Sequence, residues 1–201
     1  MRMQFLGDSY DIVKRFLLQT IAPGARWDAF PMFTHAVTKD ELAAYETFLG
    51  VHVASPGVLA AGEDRFAILA ERPHLRHVFL DPDTGIRLKP CGGSAAANYI
   101  FGPELANLCS NEPACLVVVF DQSVPRGSER QAMARKLAYF SERGVHGFAY
   151  LSHACFVVLS ASKRVCDDAY VHLVASALPV ERILRQRVPD GRIEQTECAT
   201  K

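Results

Sequence analysis

The run "CLVVVFD", Cys115–Asp121, carries six apolar residues in succession and ends on an acid. A strand with one wet face alternates apolar and polar side chains, whereas an unbroken apolar run suits a strand covered on both faces, as in a parallel sheet. The segments on either side agree with that placement. Upstream, "HVFLD" (77–81) is a second short apolar strand that also ends on an acid, and a helix is expected near 103–110, between the two strands. Downstream, a helix is expected over 128–143, with Ser128 and Gln131 as its capping box, Met133, Leu137 and Phe140 as its stripe and Gly144 as its stop. "VHGFAYL" and "ACFVVL" then lie close enough to form a hairpin, followed by an amphipathic helix over 163–178.

The first third of the chain supplies the same alternation. "DSYDIVKRFLLQTI" (8–21) reads as a helix capped by Asp8 or Ser9, with Ile12, Val13, Phe16, Leu17 and Ile21 as its apolar stripe. An extended piece follows at 26–34. Thr38 and Glu41 form a second capping box, ahead of Leu42, Tyr45 and Leu49 on one helix face and a stop at Gly50. A short strand at 51–55 and a short helix at 63–72 complete the pattern. Strands alternating with helices at these crossover lengths predict a doubly wound, mostly parallel α/β sheet with a C-terminal hairpin. The expected organisation is one α/β domain over 1–187 and a polar, disordered tail over 188–201.

Composition narrows the classes. Lys+Arg and Asp+Glu are both 22, so the formal net charge is +0, and a nucleic-acid partner would need a local basic patch. The six cysteines (Cys91, Cys109, Cys115, Cys155, Cys166 and Cys198) show neither a C-x-x-C pair nor zinc spacing, and a reducing compartment is expected. With no apolar leader and no run of membrane-spanning length, the expectation is a cytoplasmic protein.

Ligands of open α/β sheets bind at the carboxyl ends of strands. That rule gathers Asp81-Pro82-Asp83-Thr84-Gly85, Asp121-Gln122-Ser123 and Ser152-His153 at one edge. The first set can be a plain turn, or a strand-end carboxylate that meets a planar amine or a divalent metal. Asp8, Asp11 and Arg15 share a face of the opening helix by i, i+3, i+4 spacing, with Lys14 adjacent; ion pairs on a solvated face would look the same. The loop after Asp121 carries Arg126 and Arg130 into a helix N-terminus, which favours an anion. Neighbours in a strand point to opposite faces, so Ser152 and His153 cannot act as a nucleophile and its base.

Taken in order, these pieces resemble the ribosomal-RNA adenine-N6 methyltransferases of the J type and, more loosely, the three-Cys-motif partner proteins. The family's opening Gly-Asn-x-x-Asp-(aliphatic)₂-Lys-His pattern is similar to Gly7-Asp8-Ser9-Tyr10-Asp11-Ile12-Val13-Lys14-Arg15, and its catalytic Asp-Pro-Pro-Tyr to Asp81-Pro82-Asp83-Thr84. "SHACFVVLSASKR" is similar to its closing hairpin strand. The resemblance implies a Rossmann-like methyltransferase-type fold that uses S-adenosylmethionine. In it Asp81 accepts a hydrogen bond from a nucleobase amine, Pro82 fixes the backbone, and Asp11 and Lys14 shape the mouth. The chain departs from the family where Asp83-Thr84 replace Pro-Tyr, and where no glycine occurs from Trp27 to Thr38, the place of the cofactor turn.

Three readings stand side by side at this point. One is a methyltransferase-like enzyme acting on a nucleobase amine, degenerate in its cofactor turn. The second is a metal-dependent nuclease or phosphodiesterase, with Asp8, Asp81, Asp83 and Asp121 around Mg²⁺ or Mn²⁺. Its phosphate would be met by Lys14, Arg126 or Arg130, with Arg15, Gln122 and Ser123 as further substrate contacts. The third is a non-catalytic accessory module.

Overall fold

The computed structural model describes residues 3–33, 35–58, 77–153 and 155–186. The expected helix at 63–72 and the tail at 188–201 lie outside the described residues. The first half contains α1 (Ser9–Ile21), β1 (Trp27–Phe30), α2 (Lys39–Leu49), β2 (His52–Val53), β3 (His77–Leu80), β4 (Gly85–Arg87) and β5 (Tyr99–Phe101). The second half contains α3 (Gly102–Asn111), β6 (Val117–Asp121), α4 (Glu129–Ser141), β7 (His146–Leu151), β8 (Cys155–Ser160), α5 (Lys163–Ala175) and β9 (Ile183–Arg185).

Seven strands form one sheet in the order β2-β1-β3-β6-β8-β7-β9. β2, β1, β3 and β6 pair in parallel, whereas β8 pairs antiparallel with both β6 and β7, and β9 antiparallel with β7. Five strands therefore run one way, and the β7–β8 hairpin slots β8 between two of them. The fold is α/β, with a mostly parallel mixed sheet. β6 is buried at all five positions, as its unbroken apolar run requires.

Helices cover both faces of this sheet. One core joins Leu17, Leu18 and Ile21 of α1, Tyr45 and Leu49 of α2 and Leu173 of α5 to Phe79, Val118, Phe120 and Phe156. The other joins Leu105 and Leu108 of α3 and Met133, Leu137 and Phe140 of α4 to Val78, Leu80, Val117, Val119 and Val157. The alternation is the period-2 rule of a strand read from both sides. On the first face α1 packs against α5, and His172 Nδ1 of α5 lies 3.3 Å from the carbonyl of Ile21.

Local signals explain several ends. Asp8 caps α1 by accepting from the backbone N–H groups of Tyr10 (2.8 Å) and Asp11 (3.1 Å). Thr38 and Glu41 close the capping box of α2 from both sides, and Gly50 ends that helix in the left-handed conformation (φ 71°). The box expected at Ser128 does not form. Ser128 Oγ donates to the carbonyl of Pro125 instead, and Glu129 Oε1 accepts from the N–H of Gly127.

The stripe expected on α1 is also rotated. Ile12 is 57% exposed and Phe16 40% exposed, while Asp11 and Lys14 face inward with Leu17, Leu18 and Ile21. No helix among the described residues is long and apolar enough to cross a membrane.

A candidate amine-binding cleft at the end of β3

A cleft of ≈ 450 Å³ opens where α1 crosses the carboxyl end of β3. It is lined by Phe5, Asp8, Tyr10, Asp11 and Lys14 from the chain's first segment, by Asp81, Pro82 and Asp83 after β3, and by Phe120 and Gln122 at the end of β6. The floor is charged. Lys14 Nζ donates to Asp11 Oδ1 at 3.0 Å and to Asp81 Oδ2 at 2.9 Å, and stands 4.4 Å from the centre of the Phe120 ring. Tyr45 OH donates to the same Asp81 Oδ2 at 3.3 Å, and the backbone N–H of Gly7 to Asp11 Oδ2 at 3.0 Å.

Burial and charge set the protonation of this group. Burial raises the Asp81 pKa, Lys14 pulls it back and Asp11 raises it again, leaving it above the usual value. Burial depresses the Lys14 ammonium, but two carboxylates outweigh it and leave its pKa raised. Burial, followed by Asp81 and Asp11, pushes Tyr45 well above an ordinary phenol, which keeps its hydrogen as a donor. One lysine thus serves two acids. Among the described residues, Asp81 Oδ1 has no hydrogen-bond partner, although Asp81 as a whole is 2% exposed. It is an acceptor at the edge of a cleft.

Asp121 goes elsewhere. The register that sets Leu80 opposite Val119 sets Asp81 opposite Phe120, so Asp121 falls on the other face of the sheet. There Lys136 Nζ contacts its Oδ2, while Ile86 N–H at 3.2 Å, Ser123 N–H at 3.0 Å and Ser123 Oγ at 2.6 Å converge on its Oδ1. Gly85 completes the enclosure: a Cβ there would stand 2.1 Å from Asp121 Oδ1.

The four acids Asp8, Asp81, Asp83 and Asp121 are therefore not assembled together. Among the described residues, no three His, Cys, Asp or Glu side chains are grouped to hold a metal.

Of the residues expected to meet substrate or phosphate, Lys14 and Gln122 line the cleft, and Arg15, Ser123, Arg126 and Arg130 do not. Arg15 is exposed, with its guanidinium 5.7 Å from the Phe48 ring. Arg130 donates to the carbonyl of Glu181, Arg126 is exposed near Glu129, and Ser123 belongs to the Asp121 cluster. The hairpin places His153 against the Tyr10 ring, at 4.5 Å between centroids.

Sequence reasoning missed Tyr45, Phe120, Tyr10 and Phe5 as site residues. Tyr45 reads as an ordinary core position in an apolar stripe. Phe120 carries a signal only once the β3–β6 register is known.

The resemblance places an adenosyl cofactor at the turn after β1. There the backbone enters the left-handed region at Met32 (φ 46°), a conformation that costs glycine nothing. Met32 is 6% exposed and belongs to the core of one face; Phe33 is 1% exposed and belongs to the core of the other. The Phe33 ring meets Tyr45 edge-on at 6.1 Å. Two packed side chains occupy the place where a glycine turn would let backbone approach a ligand, so the described residues of this turn do not fit the cofactor.

The chain matches no protein-family model, no curated protein and no solved structure.

Proposed function

We propose that this is a methyltransferase-like protein of the Rossmann type whose cleft receives the exocyclic amine of a nucleobase and whose cofactor turn is degenerate. The strand order, with one reversed strand inserted by a C-terminal hairpin, supports the fold half of that reading. The site half is carried by one observation, the asymmetry of Asp81. Its Oδ2 is held by Lys14 and Tyr45, and its Oδ1 is left as an acceptor beside aromatic walls.

An amine N–H of adenine or cytosine donates to Oδ1. Lys14 keeps the carboxylate ionised against the cost of its burial, and with Tyr45 fixes the direction of its lone pairs. Pro82 has no N–H to compete for the incoming group and holds the backbone rigid next to the acceptor. The rings of Phe5, Tyr10 and Phe120 give a flat heterocycle apolar surface to lie against.

Calorimetric titration tests this directly. Adenosine and cytidine should bind saturably, and uridine, which has no exocyclic amine, should not. Asp81→Asn should weaken adenosine binding about tenfold or more. Lys14 and Tyr45 both donate, so the amide must turn its oxygen toward them and its NH₂ toward the ligand, donor against donor. Equal binding of uridine, or full binding by Asp81→Asn, would overturn the proposal. Saturable binding of S-adenosylmethionine that persists undiminished in Asp81→Asn, and so does not run through the adenine amine at Oδ1, would overturn the degenerate turn and restore methyl transfer as the expected reaction.

A further inference from the structure

One wall of the cleft is built by rings from both halves of the chain. Tyr10, in the first turn of α1, and Phe120, near the end of β6, both line it, and their rings meet edge-on with centroids 5.7 Å apart. Each is also met from the β7–β8 hairpin. Phe156 of β8 packs on Phe120 at 5.1 Å, and His153, in the connection between the two strands, lies against Tyr10 at 4.5 Å with a tilt of 42°. The two supports differ in kind. Phe156 is fully buried and belongs to the core, whereas His153 is exposed, so its ring adds little to folding. What it adds is restraint. Tyr10 is half-buried, and a ring at a cleft wall turns about its side-chain bonds unless neighbours hold it. Between Phe120 and His153 the Tyr10 ring is held in one orientation before a ligand arrives. Ordering the ring then costs little on binding, and such pre-organisation raises affinity without any new contact to the ligand.

We infer that His153 is a positioning residue of the cleft, which through Tyr10 sets the wall that a flat heterocycle lies against. This rests on the nucleobase reading above and adds to it a residue that touches the ring and not the ligand's amine. The reversed strand that marks the fold thereby gains a part in the site: its hairpin braces both rings of one wall, Phe120 from the core and Tyr10 from the rim.

Isothermal titration of the full chain with adenosine tests this. His153→Ala should weaken adenosine binding about three- to tenfold, the size of one aromatic pair, with the urea midpoint unchanged. His153→Phe should restore the parent affinity, because the flat ring and not the imidazole nitrogens does the holding. In a Tyr10→Leu background, His153→Ala should weaken binding no further. Full binding by His153→Ala, no recovery in His153→Phe, or losses that add in the double variant would overturn the inference and leave the nucleobase reading standing. A urea midpoint that falls along with the affinity would also overturn it, by making His153 a support of the fold. If no ligand carrying an exocyclic amine binds the parent chain, both readings fall.

Discussion

Lys14–Asp81 and Lys136–Asp121 each tie a helix to the end of a strand, on adjacent strands β3 and β6 and on opposite faces of one sheet. Both pairs are buried, and both resist simple accounting as stabilisers, since removing two charges from water costs about what their attraction returns. They differ in how the carboxylate is finished. Around Asp121, both oxygens are taken up by Lys136, Ser123 and Ile86, and Gly85 presses against the group with no room for a methyl. Around Asp81, one oxygen is doubly held and the other ends at a cleft. The same ion pair is enclosed on one face and leaves an acceptor at a cleft on the other. Its free acceptor marks the difference better than its burial does.

The largest expected effect lies on the closed side. Asp121→Ala leaves Lys136 buried without its partner and removes the acceptor for Ile86 and Ser123. It should cost about 3–5 kcal/mol in urea unfolding while the surviving folded protein still binds adenosine. A loss of ligand affinity without a loss of stability would erase the distinction between the two pairs. Gly85→Ala should cost about 2–3 kcal/mol, because the new Cβ meets Asp121 Oδ1 and the residue's φ of 135° suits only glycine. A stability within experimental error of the parent would show that the Asp121 enclosure is loose.

Alkali should weaken both faces, and Tyr45 isolates the share of the open one. Lys14 and Tyr45 have raised pKa values in the folded state, and burial pushes the thiols of Cys109, Cys155 and Cys166 up to about 12 and that of Cys115 to about 11. The native state therefore holds more protons than the unfolded chain above about pH 9, so stability falls as pH rises, by up to about 1.4 kcal/mol per pH unit for each group. Urea midpoints at pH 8 and pH 10.5 measure the slope, and Tyr45→Phe should make it shallower. The smallest effect on stability should be that of Asp81→Asn, within about 1 kcal/mol, because the amide keeps its packing and Lys14 keeps Asp11. A cost matching that of Asp121→Ala would make Asp81 as structural as Asp121.

How much of this was readable in the sequence follows from the range of each signal. Most local ones succeeded, the unbroken apolar run of β6, the Thr38–Glu41 box, the Asp8 cap and the β7–β8 hairpin, while the Ser128–Gln131 box and the α1 stripe did not hold. Signals that need a partner strand failed. β4 and β5 are three residues each and pair with one another across a loop, and β9 extends the sheet from a stretch between the expected helix at 163–178 and the expected tail at 188–201 to which no element was assigned. Asp81 and Asp121 look equivalent as strand-ending acids. Only the Leu80–Val119 register assigns them to different faces. Lys14 was legible as a residue of interest but not as a buried one, because its cost is met by Asp81, 67 positions away.

α1 leans on α5, and the Ile21 carbonyl meets a histidine 151 residues further along. A ribosome delivers these partners in the least convenient order. The helix that walls the cleft leaves the exit tunnel well before the surface it docks on. Until residues 163–175 emerge, Leu17, Leu18 and Ile21 lack part of their cover, and the segment is open to chaperones and proteases. The core on the α1 face of the sheet is therefore completed only after α5 has been made.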